Sequence, residues 1–336
     1  MHRPLRSPTR SPLAATCAAA VLAATLAGCG GGSDAGSGTI KIGLVTKTET
    51  NPYFVKLRES ATAAAKAKGV QLIALAGKFD GDNEGQVTAM ENLIAKGVKG
   101  IMITPSNSTG VLGVIKKARE KGVLVVALDT ATSPASAVDA TYATDNLAAG
   151  RLEGAWVKAH LGDAPPQLAM LDGTPGATVD DNRHDGFLKG FGITNSSPRI
   201  VGRAITNGAQ DKGQQGMENL LQAHPGINAV YTINEPAARG AAAAIKAAGK
   251  TKDVTVGSID GSCAGVRAVQ AGQVGATVMQ FPKKMAEMGV AAVVTYAKSK
   301  KKPSGFIDTG AQLITDKPVK GLPSKGTAWG LKNCWG

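Results

Sequence analysis

Polar side chains able to grip a hydroxyl stand at the ends of several short apolar runs in this chain. Val126-Ala127-Leu128 leads into Asp129-Thr130, and Val230-Tyr231-Thr232-Ile233 leads into Asn234-Glu235-Pro236. Val256-Gly257-Ser258-Ile259 leads into Asp260-Gly261, and Thr277-Val278-Met279 into Gln280-Phe281-Pro282. A further cluster, Asp180-Asp181-Asn182-Arg183, opens a helical pattern. Carboxylates accept hydrogen bonds, a guanidinium donates them and a carboxamide does both, so this set suits a ligand with vicinal hydroxyls. Near the front of the chain, Thr50-Asn51-Pro52-Tyr53-Phe54 places two of the few aromatic residues side by side (Phe 6, Trp 3, Tyr 4). An aromatic face stacks on the C–H face of a sugar ring, and the Asn51 amide can bond its hydroxyls. Structural readings of the same residues stand beside these. Asn51 and Asn234 also suit helix N-caps, and Asp260-Gly261 a turn. Phe54 also starts a buried helix face continued by Leu57, Ala61 and Ala65.

Other chemistries find no support. No G-x-S-x-G, no paired Cys and His and no glycine-rich dinucleotide fingerprint occurs, so catalysis is not expected. No CxxC or HExxH is present, and His2, His160, His184 and His224 have no metal-ligand spacing. The string Asp80-Gly81-Asp82-Asn83-Glu84-Gly85, with Glu91 beyond it, matches a calcium loop except at its fifth position. Such a loop needs a helix before it, whereas here a strand pattern precedes it. Val87, Met90, Leu93 and Ile94 form a helix face inside the would-be loop, so Asp82 or Asn83 is read as the cap of that helix. No metal and no cofactor is therefore expected. The formal net charge is +13. Its lysines are scattered, and Lys116-Lys117 and Lys300-Lys301-Lys302 lack interleaved aromatics, which points to a solvated surface rather than a nucleic-acid site.

The elements that must carry these residues alternate. Strand patterns at 41–45, 71–75, 100–103, 123–128 and 139–143 enclose helical periodicity at 54–68, 84–95 and 109–121. Gly69, Gly97 and Gly122 each close a helix. The alternation restarts with helices at 147–160, 180–190, 212–223, 237–248 and 264–271. Strands at 167–171, 200–206, 229–233, 254–258 and 276–280 lie between them. A long helix at 283–298 and a strand pair within 308–314 complete the chain. Repeated strand–helix units predict an α/β fold of two similar doubly wound lobes, each a parallel sheet covered by helices, with a cleft between them.

The chain opens with Arg3, Arg6 and Arg10 and continues into an apolar, alanine-rich stretch too short for a confident membrane span. Residues 1–28 read as an export signal. Leu26-Ala27-Gly28-Cys29 resembles a lipobox, which implies lipidation of Cys29, and residues 29–38 read as a Gly/Ser tether. Export into an oxidising compartment permits a disulfide between the remaining Cys263 and Cys334.

The strings Thr50-Asn51-Pro52-Tyr53-Phe54, Leu128-Asp129, Ala143-Thr144-Asp145-Asn146, Asn182-Arg183, Ile259-Asp260-Gly261 and Gln280-Phe281-Pro282 together resemble the periplasmic sugar-binding proteins of ribose/galactose type. The likeness covers essentially the whole chain after the tether. Longer strings, Lys78 to Gln86, Tyr231 to Ala238 and Lys332-Asn333-Cys334-Trp335-Gly336, are similar to the fructose-binding members of bacterial ABC importers.

The resemblance implies the type I periplasmic binding protein fold, with lobes at 39–144 plus 281–309 and at 145–280 plus 310–336. Three hinge crossings are implied near Thr144-Asp145, Gln280-Phe281 and Thr309-Gly310. It further implies stacking by Tyr53 and Phe54, and hydroxyl ligation by Asn51, Asp129, Arg183, Asn234, Asp260 and Gln280. The implied protein is a monomer that works with a permease and an ATPase at a membrane. It sits in the periplasm and is held by lipid on Cys29. Two departures matter. Thr130 stands where ribose binders have arginine, and no second-lobe aromatic occurs near Asn207-Gly208-Ala209. These departures make plain ribose a poorer fit, and the likeness to the fructose-binding members implies fructose, with ribose, mannose or another monosaccharide as alternatives. A sensor of the same fold is the alternative role. A sugar-responsive repressor is set aside, because an export signal stands where its DNA-binding helices would be.

Overall fold

The computed structural model describes residues 39–336. The expected signal, Cys29 and the tether lie outside the described residues. The first half of the chain runs β1 (Lys41–Thr46), α1 (Pro52–Ala67), β2 (Gln71–Ala76), α2 (Asn83–Ala95), β3 (Gly100–Ile103), α3 (Leu112–Glu120), β4 (Leu124–Leu128) and β5 (Ala140–Ala143). The second half repeats the pattern through α4 (Asn146–His160), β6 (Leu168–Asp172), α5 (Thr178–Phe191), β7 (Ile200–Ile205), α6 (Gln210–Ala223), β8 (Ala229–Thr232), α7 (Glu235–Ala247), β9 (Thr255–Asp260), α8 (Cys263–Gln270) and β10 (Ala276–Met279). It closes with α9 (Pro282–Ser299), β11 (Phe306–Asp308), β12 (Gln312–Ile314) and α10 (Thr327–Asn333).

Two six-stranded sheets result, ordered β11-β5-β4-β3-β1-β2 and β12-β10-β9-β8-β6-β7. Both have the doubly wound order, in which the first strand lies between the second and the third. Side-chain alternation explains the layers. In β4, Leu124, Val126 and Leu128 face the cluster made by α1 and α9, while Val125 and Ala127 face the one made by α2 and α3. The second sheet is covered likewise by α4 and α5 on one face and by α6, α7 and α8 on the other. Burial on both faces is why these strands are near-continuous runs of Val, Ile and Leu. Each such side chain contributes about 1.5–3 kcal/mol when fully buried.

The chain passes between the sheets three times. Thr144-Asp145 joins β5 to α4, Gln280-Phe281 joins β10 to α9, and Thr309-Gly310 joins β11 to β12. The crossings are tied to each other. Asp308 Oδ1 accepts from Asp145 N at 3.1 Å and Gly310 N at 2.8 Å, and Lys284 Nζ donates to Thr309 O at 3.0 Å.

Three local expectations are corrected. The strand pair expected within 308–314 is two strands in different sheets: β11 runs parallel to β5, and β12 antiparallel to β10. The crossing between them separates what adjacency in sequence suggests. Helix α3 starts at Leu112 rather than 109, because Asn107 Oδ1 accepts from Thr109 N and Gly110 N and holds a turn there. Helix α5 starts two residues before the expected 180, at Thr178. Of the two cap candidates in the calcium-like string, Asp82 is the N-cap of α2, accepting from Gly85 N at 2.9 Å.

Candidate ligand-binding cleft

Segments that follow the strands of both sheets line one cavity between the lobes. All eight residues expected at the site are there: Asn51, Tyr53, Phe54, Asp129, Arg183, Asn234, Asp260 and Gln280. Six further residues share the lining, namely Lys47, Asp80, Val179, Asp180, Gly208 and Ile233. The lobes are shut over it. At the rim Ser108 N donates to Gly176 O at 2.9 Å, Thr178 N to Ser108 Oγ at 3.0 Å, and Thr178 Oγ1 to Ala131 O at 2.8 Å.

Arg183 occupies the centre and is 4% exposed. It reaches this place because α5 packs very closely on α4: a Cβ at Gly150 would press on the Arg183 carbonyl oxygen. Nε donates to Asn146 Oδ1 at 2.8 Å and Nη1 to Ile233 O at 3.0 Å. The remaining guanidinium edge faces Asp260 Oδ1 at 3.9 Å and Asp129 Oδ1 at 4.0 Å, one carboxylate from each lobe. These separations exceed hydrogen-bond length, so the groups balance charge while leaving donors and acceptors for a hydroxyl placed between them. Burial alone would lower the Arg183 pKa, but Asp260, Asp129 and Asp180 outweigh it and hold the group charged.

Both carboxylates stand on unusual backbone. Asp129 has φ 64 and Asp260 φ 141, conformations that cost on the order of 1–3 kcal/mol each for a non-glycine residue. Fixed partners hold them there. Asp129 N donates to Tyr142 O at 2.9 Å, and Thr130 Oγ1 donates to Asp129 Oδ2 at 3.0 Å. Gln280 donates twice to Asp260, from N to O and from Nε2 to Oδ1, both at 2.9 Å. Burial pushes Asp260 up to about 6, against the pull of Arg183.

The structural readings of the other residues prove compatible with lining the cavity. Asn51 caps α1, accepting from Tyr53 N at 3.0 Å, which leaves its amide N–H groups for a ligand. Asn234 caps α7 through Ala237 N at 3.1 Å, and its Nδ2 donates to Gly208 O at 3.2 Å. Phe54 belongs to one core cluster with Leu57, Ala61 and Ala65, and Tyr53 joins them. The two aromatic rings meet edge to face at 5.6 Å. The wall near Asn207-Gly208-Ala209, which has no aromatic, is backbone instead. Gly208 has φ +66, and a Cβ on it would stand 2.6 Å from Asn234 Nδ2.

Lys47, Asp80 and Asp180 form a second polar end that the strand-end pattern does not mark as a site. Lys47 Nζ lies 3.5 Å from Asp80 Oδ2 and 4.0 Å from Asp180 Oδ2. Asp80 Oδ1 is buried without a hydrogen-bond partner. Burial alone would lower the Lys47 pKa, but the facing carboxylates hold it above its ordinary value. Burial raises Asp180 to about 7, although Lys47 pulls the other way. The only signal for this group in the sequence is that Lys47 directly follows β1; its burial to 2% exposure, unusual for a lysine, is a property of the folded molecule.

Comparison with known proteins places this cleft in a family. A model described as periplasmic binding protein domain matches residues 42–302. The chain is 31% identical over 260 residues to the ribose import binding protein RbsB of Bacillus subtilis, covering 77% of this chain and 82% of that protein. It is 30% identical over 275 residues to the D-allose-binding periplasmic protein of Escherichia coli, covering 80% and 88%. Among solved structures, an ABC transporter solute binding protein from Agrobacterium vitis with bound D-fucose superposes with a TM-score of 0.79 at 27% identity, covering 88% of this chain and 100% of that one. With the two-lobed fold, the cleft and these matches, the chain belongs to the periplasmic sugar-binding proteins of ribose/galactose type, which bind substrates and do not transform them.

Proposed function

We propose that this protein is the substrate-binding component of an ABC importer and encloses one monosaccharide, with fructose as its main ligand, in the cleft between its lobes. The observation that carries the reading is Arg183 set 4.0 Å from Asp129 of one lobe and 3.9 Å from Asp260 of the other. A sugar hydroxyl bridging such groups satisfies all of them only when the lobes are together, so binding and closure are coupled. Tyr53 and Phe54 supply the stacking wall, and Asn51, Asn234 and Gln280 complete the hydroxyl contacts. The loaded protein then meets the permease and ATPase subunits, and Cys29 carries lipid that keeps a periplasmic monomer near them.

Fructose is supported by the long strings similar to those of fructose-binding members, and a hexose rather than a pentose by the second polar end. A hexose carries one more hydroxylated carbon than a pentose, and Lys47 and Asp80, whose Oδ1 has no protein partner, offer polar groups for it at that end of the cavity. Relatives named for ribose and allose, and a likeness holding D-fucose, agree with a monosaccharide as the ligand class. The test is calorimetry of the mature protein against fructose, ribose, allose, mannose, galactose and xylose. The expected dissociation constant for fructose is on the order of 1 μM, about −8 kcal/mol. Tighter binding of any of the other five would overturn the fructose assignment, and no binding by any of the six would overturn the sugar class.

A further inference from the structure

Trp335 does not line the cavity, yet it touches three of the residues that shape it. Its Nε1 donates to Asp260 O at 3.2 Å and to Gln280 O at 3.1 Å. Its ring packs edge-on against Tyr53, with centroids 5.5 Å apart. It is 6% exposed and sits in the first lobe's core cluster beside Tyr53 and Met285. Its backbone, however, is fastened to the second lobe. Cys263 N donates to Trp335 O at 2.9 Å, Ser262 forms a bridge with Trp335, and the neighbouring Cys334 is disulfide-bonded to Cys263.

We propose that Trp335, held by the Cys263–Cys334 disulfide, is a positioning residue that sets the affinity and selectivity of the cleft. The physical case rests on what each contact restrains. Asp260 has φ 141, so its peptide keeps its orientation only while its surroundings hold it. Its carbonyl oxygen is held by two donors, Gln280 N and the indole N–H. Removal of the indole N–H frees one side of that carbonyl and leaves Gln280 O without the same donor. The Asp260 and Gln280 side chains, bonded to each other at 2.9 Å, then lose their common support. Tyr53 loses a ring packed against it and gains freedom to turn within the stacking wall. Each of these changes moves a group that a sugar hydroxyl or ring face would meet, while the sheet beneath stays intact.

The inference rests on the sugar-binding reading above, and the test separates the two. Full-length wild type, Trp335→Phe and the double variant Cys263→Ser/Cys334→Ser are titrated by calorimetry with the best-bound monosaccharide and with its nearest competitor. Trp335→Phe keeps an aromatic ring and removes the donor. It is expected to weaken the best sugar by about fivefold or more, the size of one lost hydrogen bond, and to narrow the ratio between the two sugars. The serine variant should move affinity and ratio in the same direction, through the freed tail. Wild type labelled with 5-fluorotryptophan gives a second readout that needs no variant to fold at this position. The Trp335 fluorine signal, identified by eliminating those of Trp156 and Trp329, should shift on sugar saturation. Unchanged affinity and ratio in both variants, or a Trp335 signal indifferent to sugar, would overturn the inference alone. A wild type that binds no monosaccharide overturns it together with the functional reading.

Discussion

The two lobes hold an aspartate at the same station, after or at the end of their fourth strand, and support it differently. Asp129 follows β4, and Thr130 donates to its carboxylate. Asp260 ends β9, and its supports come from farther away: Gln280 from the crossing after β10, Glu235 N from α7 at 3.4 Å, and Trp335 from beyond α10. The surroundings differ in kind as well. The first lobe presents an aromatic wall and Lys47. The second presents Arg183, two amides and a set of buried acids. Glu153 lies in that interior, where burial holds its carboxyl well above the ordinary range, and Glu235 is pushed by burial and by Asp260 up to about 8. A shared strand order therefore supplies equivalent positions, while the long-range contacts of each lobe decide what a residue there can do.

Removal of the second lobe's covalent tie should have the largest effect. Cys263 and Cys334 are 71 residues apart, so Cys263→Ser/Cys334→Ser should cost about 4 kcal/mol on the chain-entropy model. Chemical denaturation with probes in each lobe checks this. Loss is expected first in the second lobe, and equal loss in both would remove the asymmetry. Next, Arg183→Ala should weaken sugar binding by at least about 2 kcal/mol, because it removes a charged donor and leaves two facing carboxylates unbalanced. Asp260→Ala should lose a similar amount. Wild-type affinity in both variants, measured by calorimetry, would dissolve the cleft assignment.

Acidity offers a subtler comparison. Asp260, Asp180 and Glu235 are raised to about 6, 7 and 8. Each then holds its proton more tightly folded than unfolded, so its stabilising contribution is fully present below the unfolded value near 4. That contribution is lost as pH rises through 6 to 8. The melting temperature of the ligand-free protein should therefore fall between about pH 5.5 and pH 8. Glu235→Gln, a mimic of the protonated acid that keeps an oxygen facing Ser262 N, should flatten part of that fall. Sugar affinity should run the other way and decline below about pH 6, where Asp260 loses acceptor capacity. An affinity that rises on acidification would contradict the role given to Asp260. The smallest effect is expected from Asn83→Ala. Its side chain reaches Gly110 O on the first lobe's surface at 3.1 Å, so calorimetry should show unchanged affinity, with or without chelator.

Much of this site is legible in the chain alone, for a local reason. Short apolar runs between helical patterns locate strands, and doubly wound sheets place ligands at the carboxyl ends of their strands. Asp129, Asn234, Asp260 and Gln280 follow from that rule, and Asn51-Pro52 marks the start of α1 by its capping chemistry. Other features depend on contacts between distant segments. Lys47, Asp80 and Asp180 become one polar end only when segments from both lobes meet. Arg183 depends on the glycine-mediated contact of α4 with α5. The positive φ of Asp129 and Asp260 is imposed by their surroundings, since neither residue type demands it. Strands β11 and β12, three residues each, carry too little pattern to show which sheet they join. Trp335 stands beside a disulfide cysteine in the chain, but only the folded molecule sets it against Tyr53, Asp260 and Gln280. Short-range physics sets the element ends and therefore the candidate ligand groups. Burial, close helix packing and pairing across the lobes set their charge, their aim and their support.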